Sequence, residues 1–446
     1  MSAVAALSEL RVHARAVFDA GLKSADPLDA IRRYVHVDGD RFEVADRRYD
    51  LAEFRRIYVI GGGKAAARMG LALEELLGGR IAGGIIVVKY DHGLRLKRVN
   101  VVEAGHPVPD EAGLSGARQV IELVDAAGES DLILFLVSGG GSALLPCPAN
   151  GLTLEDKQRT TQILLNSGAT IREMNAIRRH LSKVKGGRLA QLAHPARVIS
   201  LILSDVVGDT LEDIASGPTA PDPSTYADCV KIIQRYELEE KIPPSVRHIL
   251  ERGVKGEIDE TPKPRDAVFE KVQNIVIVSN QLATQAAKSH AETLGYHTMI
   301  LSGCVEGESR RVALGHVAMM KEILDSNSPS SRPACLISGG ETTVTVRGNG
   351  VGGRNQEFAL AAAIQLDSIE DALLLSAGTD GTDGPTNAAG GIVDGETIGR
   401  GRSKGLDAVD FLARNDSYRF LEATGDLLIT GPTFTNVMDL QVMLIA

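Results

Sequence analysis

Three times in this chain an apolar, strand-forming run ends in a cluster of glycines, and that recurrence leaves few folds open. Ile57 to Ile60 leads into Gly61-Gly62-Gly63-Lys64 and then a helical pattern from Ala65 to Leu77. Leu132 to Val137 ends in Ser138-Gly139-Gly140-Gly141-Ser142, and an apolar run starting at Leu336 breaks at Gly339-Gly340. Strands alternating with glycine loops and helices imply an α/β fold with a mostly parallel sheet and helices on both faces. In such sheets ligands bind outside the carboxyl ends of the strands, where these loops lie. A chain of 446 residues exceeds what one core usually serves, so two domains are expected. The charged, proline-containing stretch from Glu237 to Lys271 places their boundary near its start, giving 1–240 and 241–446. The second domain begins again with a strand at Ile275 to Ser279 and a helix at Ala283 to Leu294.

Several function classes are disfavoured. A net charge of -10 argues against nucleic acid as a partner, so anionic substrates must be met by local cations. No apolar run reaches the ~18 to 20 residues of a membrane span, and the N-terminus reads as an amphipathic helix without a secretory signal. Cys147, Cys229, Cys304 and Cys335 are scattered, with no CxxC pair; a reducing cytoplasm is expected and a structural zinc site is not.

The stretch Leu336–Ala363 concentrates the chemistry. A strand breaks at Gly339-Gly340, a second strand is expected from Thr342 to Val346, and a glycine loop then presents Arg354 before a helix. A glycine loop at a helix start favours an anion, and a guanidinium fork suits phosphate or carboxylate. Lys64 occupies a helix start as well, an unfavourable place for a cation unless an anion lies between. Gly61-x-Gly63-x-x-Ala66 meets the loose dinucleotide fingerprint, but the next strand ends at Lys89 where an acid is expected. Ser138 to Ser142 fails the nucleophile-elbow pattern at Leu144 and is expected to form an anion-binding nest. Asp205, Asp209, Asp380 and Asp383 lie in glycine loops at strand ends. Each alone fits a turn or cap, but together with Lys64 and Arg354 they supply the carboxylates and cations that phosphoryl transfer needs. A basic run includes His180, and its Arg172, Arg178, Arg179, Lys183, Lys185 and Arg188 are the place to look for a cation facing a substrate carboxylate.

With these residues in view, the chain resembles the class II glycerate 2-kinases, a two-part family whose C-terminal piece is the MOFRL domain. The matching segments include GGGKAAARM, GHPVPDEAG, VSGGGSALLP, EMNAIRRHLSKVKGGRLA, LSDVVGDTLEDIASGPTAPDPST, SGGETTVTVRGNGVGGRNQEFALAAA and SAGTDGTDGPTNAAGG. The resemblance implies a Rossmann-like N-terminal domain, a smaller α/β domain with its MOFRL region at about 334–446, and an active site in the cleft between them. It implies transfer of phosphate from ATP, with Mg²⁺, to the 2-hydroxyl of D-glycerate; a homo-oligomer is left open. The functional lysine and arginine of the family fall on Lys64 and Arg354, and Asp205 is set beside them as catalytic. Gly61, Gly62, Gly63, Ser138, Gly139, Gly140, Gly141, Ser142, Gly339, Gly340 and Glu341 are expected at the nucleotide. Arg179, Lys185 and Asn355 are expected at the substrate, and Asp209, Asp380 and Asp383 at the metal. One departure is Thr433-Phe434-Thr435, where Thr-Gly-Thr is expected. The rival activity is an NAD(P)H-dependent hydroxypyruvate reductase, which draws on the glycine fingerprint and is weakened by Lys89.

Overall fold

The strand–glycine–helix recurrence builds two separate six-stranded sheets, each serving its own unit. The computed structural model describes residues 3–446. One unit is Pro27–Ile277; the other joins Val278–Ala446 to the segment that precedes Pro27.

The Pro27–Ile277 unit opens with a small antiparallel sheet of β1 (Val35–Asp38), β2 (Arg41–Val44) and β3 (Arg47–Asp50). Its main sheet contains β4 (Arg56–Gly62), β5 (Ile81–Lys89), β6 (Asn100–Ala104), β7 (Asp131–Val137), β8 (Arg197–Leu203) and β9 (Val272–Val278). Their order is β6-β5-β4-β7-β8-β9, and the pairings from β6 to β8 are all parallel. The chain runs outward from β4 through β5 to β6, then returns to β7 on the other side. The order therefore reverses between β4 and β7, the position where such sheets open a crevice. Gly62 lies opposite Val137 in register, so both glycine loops leave the sheet at one level. At the opposite end Arg56 faces Asp131; its Nε donates at 3.1 Å and holds the Asp131 carboxyl down at about 2.

The other sheet is mixed. It holds β10 (His297–Glu308), β11 (Ala334–Thr343), β12 (Ala372–Gly378), β13 (Gly390–Asp394), β14 (Leu427–Leu428) and β15 (Asp439–Ile445), in the order β10-β11-β15-β12-β13-β14. Only β10–β11 is parallel among its recorded pairings. The helices Ser309–Ser326 and Arg354–Leu366 cover one face. The helix Ala3–Ser24 covers the other, placing Leu7, Leu10, Val17 and Phe18 against Ile337, Leu373, Val442 and Leu444. Arg11 anchors it further, its Nε bonding Asp394 at 2.7 Å and its NH2 bonding Asp426 at 2.6 Å.

Two sequence expectations change here. The boundary lies at 277/278 and not near 240, because the charged stretch stays with the first unit. Its helix Pro244–Val254 buries Val246, Ile249 and Leu250 against Tyr226 and Cys229, and β9 completes the first sheet. The strand expected at Thr342–Val346 does not form; β11 runs unbroken through Gly339-Gly340 to Thr343. Gly340 makes this possible at φ +141, where a Cβ would come within 2.3 Å of the Val305 backbone. No helix among the described residues is long and apolar enough to cross a membrane.

The N-terminal helix buries four large apolar side chains on the second sheet, at roughly 1.5–3 kcal/mol each. A fragment 278–446 therefore unfolds without cooperativity, and adding residues 1–26 in trans or by fusion restores a cooperative transition, while 27–277 folds alone. Thermal melts followed by circular dichroism check this; a cooperative melt from 278–446 alone would contradict it.

Candidate active site

The switch point of the parallel sheet is built from backbone before any side chain enters. Lys64 N donates to Gly139 O at 2.9 Å and Ser138 N donates to Gly62 O at 3.2 Å, so the two loops stitch to each other. The Ser138 hydroxyl accepts from Ala65 N at 2.9 Å, serving one of the free amides at the start of the helix Ala66–Leu77. Gly63 has to be glycine: it sits at φ +141, and a Cβ there would lie 2.2 Å from Ser138 Oγ. Gly140 packs its Cα against His106 and Lys64, whose Nε2 and Cγ would lie 3.0 and 3.6 Å from an added Cβ. Gly139 stands just as close to Asp205 Oδ2, at 2.5 Å from such a Cβ. Lys64, His106, Gly139, Gly140 and Asp205 thus converge at the carboxyl ends of β4, β7 and β8.

Electrostatics divides these groups into distinct roles. The Lys64 ammonium has no hydrogen bond or ion pair within 4 Å among the described residues, although it stands at a helix start. Burial pushes the Asp205 carboxyl above its ordinary value, with the Lys64 charge pulling it part of the way back. Burial, followed by Lys64 and Lys89, pushes His106 down to about 4, so its imidazole is neutral at neutral pH. Together these are an uncommitted cation, a carboxylate held ready to take a proton and a neutral imidazole around a glycine nest.

Ser142 and Lys185 extend the same wall. Lys185 Nζ donates to Ser142 Oγ at 2.7 Å, to Ser142 O at 2.9 Å and to Ala215 O at 3.3 Å. Burial beside Lys157 and Arg178 pushes the Lys185 pKa down. Lys185 thus fixes the shape of the loop and spends its donors doing so. Arg179, expected at the substrate, is a correction. Its guanidinium is buried, pairs with Asp222 at 2.9 Å and donates to Glu212 O at 3.0 Å, which leaves it inside the core.

In the other unit the expected anion loop is already filled by the protein. The helix Arg354–Leu366 starts at Gly353 with no side-chain cap of its own. Asp383 reaches in from the loop after β12 and accepts from Asn355 N at 3.1 Å and Gln356 N at 2.8 Å. Arg354 is held by Asp439 through a two-armed pair, Nε to Oδ2 at 2.7 Å and NH2 to Oδ1 at 2.8 Å. Its remaining arm, NH1, lies 3.2 Å from Glu341. The Asn355 amide bonds Asp439 at 2.8 Å and accepts from Ser376 at 2.7 Å, so both ends of its amide are engaged in holding the network. Burial pushes Asp383 up to about 7, with the neighbouring Asp439 charge adding to the effect. Gly339 packs on Asn280, whose Nδ2 donates to Val437 O and Asp439 O, each at 2.8 Å.

The acids expected at a metal do not form a cage. Among the described residues no group of three His, Cys, Asp or Glu side chains is set to hold an ion. Both Asp383 oxygens are committed to the helix start, and Asp380 Oδ1 accepts from Thr382 N at 3.1 Å in a local turn. Asp209 Oδ1 is buried without a hydrogen-bond partner among the described residues. Asp209 and Asp380 belong to different units.

His106, Lys157 and Asp439 were not picked out from sequence. The GHPVPDEAG segment contained a signal for His106, since a rigid proline loop follows a strand there. Asp439 and Lys157 carried none, each being one polar residue in an ordinary strand or helix pattern. Phe434, where the resemblance expects glycine, adopts φ +60, a left-handed conformation that glycine takes without strain.

Comparison with known proteins places this geometry in a lineage. Residues 13–251 match the model of a domain of unknown function, DUF4147, and residues 334–439 match the MOFRL family. A protein from Pyrococcus horikoshii named glycerate 2-kinase is 44% identical over 425 residues, covering 95% of this chain and 94% of the relative. An Agrobacterium vitis protein named putative hydroxypyruvate reductase is 42% identical over 392 residues, covering 87% of this chain and 99% of the relative. The crystal structure of a glycerate kinase from Thermotoga maritima superposes with a TM-score of 0.88 at 42% identity, covering 98% of this chain and all (100%) of that one. This chain belongs to the glycerate kinase family, whose members join a DUF4147 domain to a MOFRL domain.

Proposed function

We propose that this kinase transfers the γ-phosphoryl group of ATP to the 2-hydroxyl of D-glycerate, giving 2-phosphoglycerate and ADP. Its support in the molecule is the Lys64 ammonium, without a direct hydrogen bond or ion pair among the described residues at a helix start, near an Asp205 carboxyl raised by burial. Phosphoryl transfer is catalysed chiefly by positioning and by charge placed on the oxygens of the transferred group. Lys64 stabilises those oxygens, and the backbone N–H groups of the glycine loops add to this. The substrate hydroxyl oxygen forms the new bond to phosphorus, the bond to the bridging oxygen of ADP breaks, and the hydroxyl proton passes to Asp205. Neutral His106 offers a hydrogen-bonding nitrogen without adding charge. Arg354 is positioned by Asp439, so its NH1, which faces Glu341, is held in a defined direction.

Mg²⁺ belongs to this reading as the companion of the nucleotide. A phosphate-bound Mg²⁺ needs only one or two protein carboxylates, so the lack of a cage is compatible with it. Asp209 and Asp380 retain free carboxylate oxygens for that role; Asp383 does not.

A coupled assay with ATP and D-glycerate, followed by identification of the phosphoglycerate isomer, tests the activity. Hydroxypyruvate-dependent loss of NADH without ATP would favour the reductase named for the Agrobacterium vitis relative. Lys64→Ala and Arg354→Ala each lower kcat by about 10²- to 10³-fold. If both serve one step, the double variant falls well short of the product of the two losses. Near-wild-type turnover in either single variant removes that residue from the chemistry. Asp205 must be ionised to accept a proton, so kcat/KM falls as pH drops through a pKa above the ordinary aspartate value. Asp205→Asn removes this acid limb and lowers kcat by about 10²- to 10⁴-fold. An unchanged limb in that variant would assign the base elsewhere.

A further inference from the structure

Beside the glycine nest lies a cavity of about 640 Å³ with an unusual lining. Lys157, Arg159, Arg178 and Lys185 contribute to its wall, together with His106 and Ser142, and no aspartate or glutamate does. In a chain of net charge -10 this is a local reversal of sign. Lys157, on the helix Leu154–Ser167, is buried, and its Nζ has no hydrogen-bond partner among the described residues. Arg178, on the helix Ile171–His180, has one weak internal acceptor, Asn175 Oδ1 at 3.4 Å. A buried ammonium without an acceptor is costly to maintain, so its environment is complete only when an anion occupies the cavity. Burial pushes Lys157 down to about 8, which an entering anion would reverse.

The remaining wall is apolar. Val108 and Leu165 are 64% and 53% exposed, although both are large aliphatic residues, and Pro107, Pro109 and Pro146 join them. A three-carbon hydroxy acid has one negative charge, no flat apolar surface and far less bulk than this space. The volume falls within the roughly 300–1,000 Å³ typical of sites for larger ligands. A nucleoside triphosphate matches both halves of the lining, with a polyanionic tail for the cations and a flat base for the aliphatic residues.

We propose that this cavity in the Pro27–Ile277 unit is the donor-nucleotide site, with Lys157 and Arg178 binding the phosphate tail and Val108 and Leu165 flanking the base. This deepens the phosphotransferase reading above and rests on it. It places the triphosphate next to His106 and Gly140, and through Gly140 next to Lys64. Lys185 acts as a positioning residue, fixing Ser142 at the cavity edge.

Binding of ATP and ADP to the full chain, measured by titration calorimetry without acceptor, tests the site apart from the acceptor's identity. Lys157→Met, which keeps most of the side-chain volume, weakens nucleotide binding by about 10- to 100-fold. In turnover it raises KM for ATP and leaves KM for D-glycerate within about twofold of wild type. Leu165→Glu, at an exposed position that does not endanger folding, weakens nucleotide binding in the same assay. A rise in KM for D-glycerate with nucleotide binding intact would make this the acceptor site and overturn the proposal. Unchanged nucleotide binding in both variants would overturn it as well. Tight nucleotide binding that depends on Lys157, with no turnover of D-glycerate, would uphold the site and refute the choice of acceptor.

Discussion

The backbone stitch between the ends of β4 and β7 is the constraint from which the first unit's site is laid out. Lys64 N to Gly139 O and Ser138 N to Gly62 O are ordinary hydrogen bonds, each contributing about 0.5–1.5 kcal/mol. Their importance is positional. They bring two strand-end loops so close that Gly63 cannot bear a side chain, and they fix Lys64 relative to Gly139 and Gly140. His106 and Asp205 are then placed by their contacts with those same glycines. Arg56 and Asp131 hold the register from the far end of the same strand pair. A cation supported by a rigid sheet in this way stays where it is put, which electrostatic catalysis requires.

The two glycine-rich loops of this chain look alike as text and differ as physics. The loop before Ala66 leaves a lysine without a direct hydrogen bond or ion pair among the described residues, while the loop before Arg354 leaves nothing free. Asp383 fills the start of the helix Arg354–Leu366, and Asp439 takes two arms of Arg354. Asn355 links those two carboxylates, and Ser376 fixes Asn355. Such a network defines the direction of one guanidinium arm more firmly than it defines an empty anion site. Arg354 can act on a ligand through NH1, and its strength there depends on how far Glu341 yields.

What the sequence makes legible follows from what is local. Strand, glycine turn and helix are local patterns, so both α/β units and the place of Lys64 could be read from them. The partner of a helix start is not local. Nothing near Arg354 announces that Asp383, far along the chain, will cap its helix, and an acid in a glycine loop therefore reads equally well as a metal ligand. Arg178 and Arg179 show the finest form of this limit. Adjacent residues on a helix point about 100° apart. One turns toward the cavity and the other toward Asp222 in the core. A basic run names the helix that matters without naming the residue. The domain boundary was missed for a similar reason, since β9 joins its sheet by long-range pairing that charge patterning cannot indicate.

The unpaired cations also bear on selectivity. A buried ammonium with no acceptor lowers the stability of the free protein, by several kcal/mol in an idealised case. The well-packed sheet of the same unit, with β7 buried along its whole length, can tolerate that deficit. A ligand that brings anionic oxygens to Lys157 relieves the deficit as it binds, whereas a neutral ligand of the same shape leaves it in place. The discrimination between them therefore comes mainly from a penalty already present in the empty cavity, and less from the number of new contacts. That logic favours a polyanion over a nucleoside alone, and it lets one small group of side chains set the ligand's charge in a protein whose overall field opposes it.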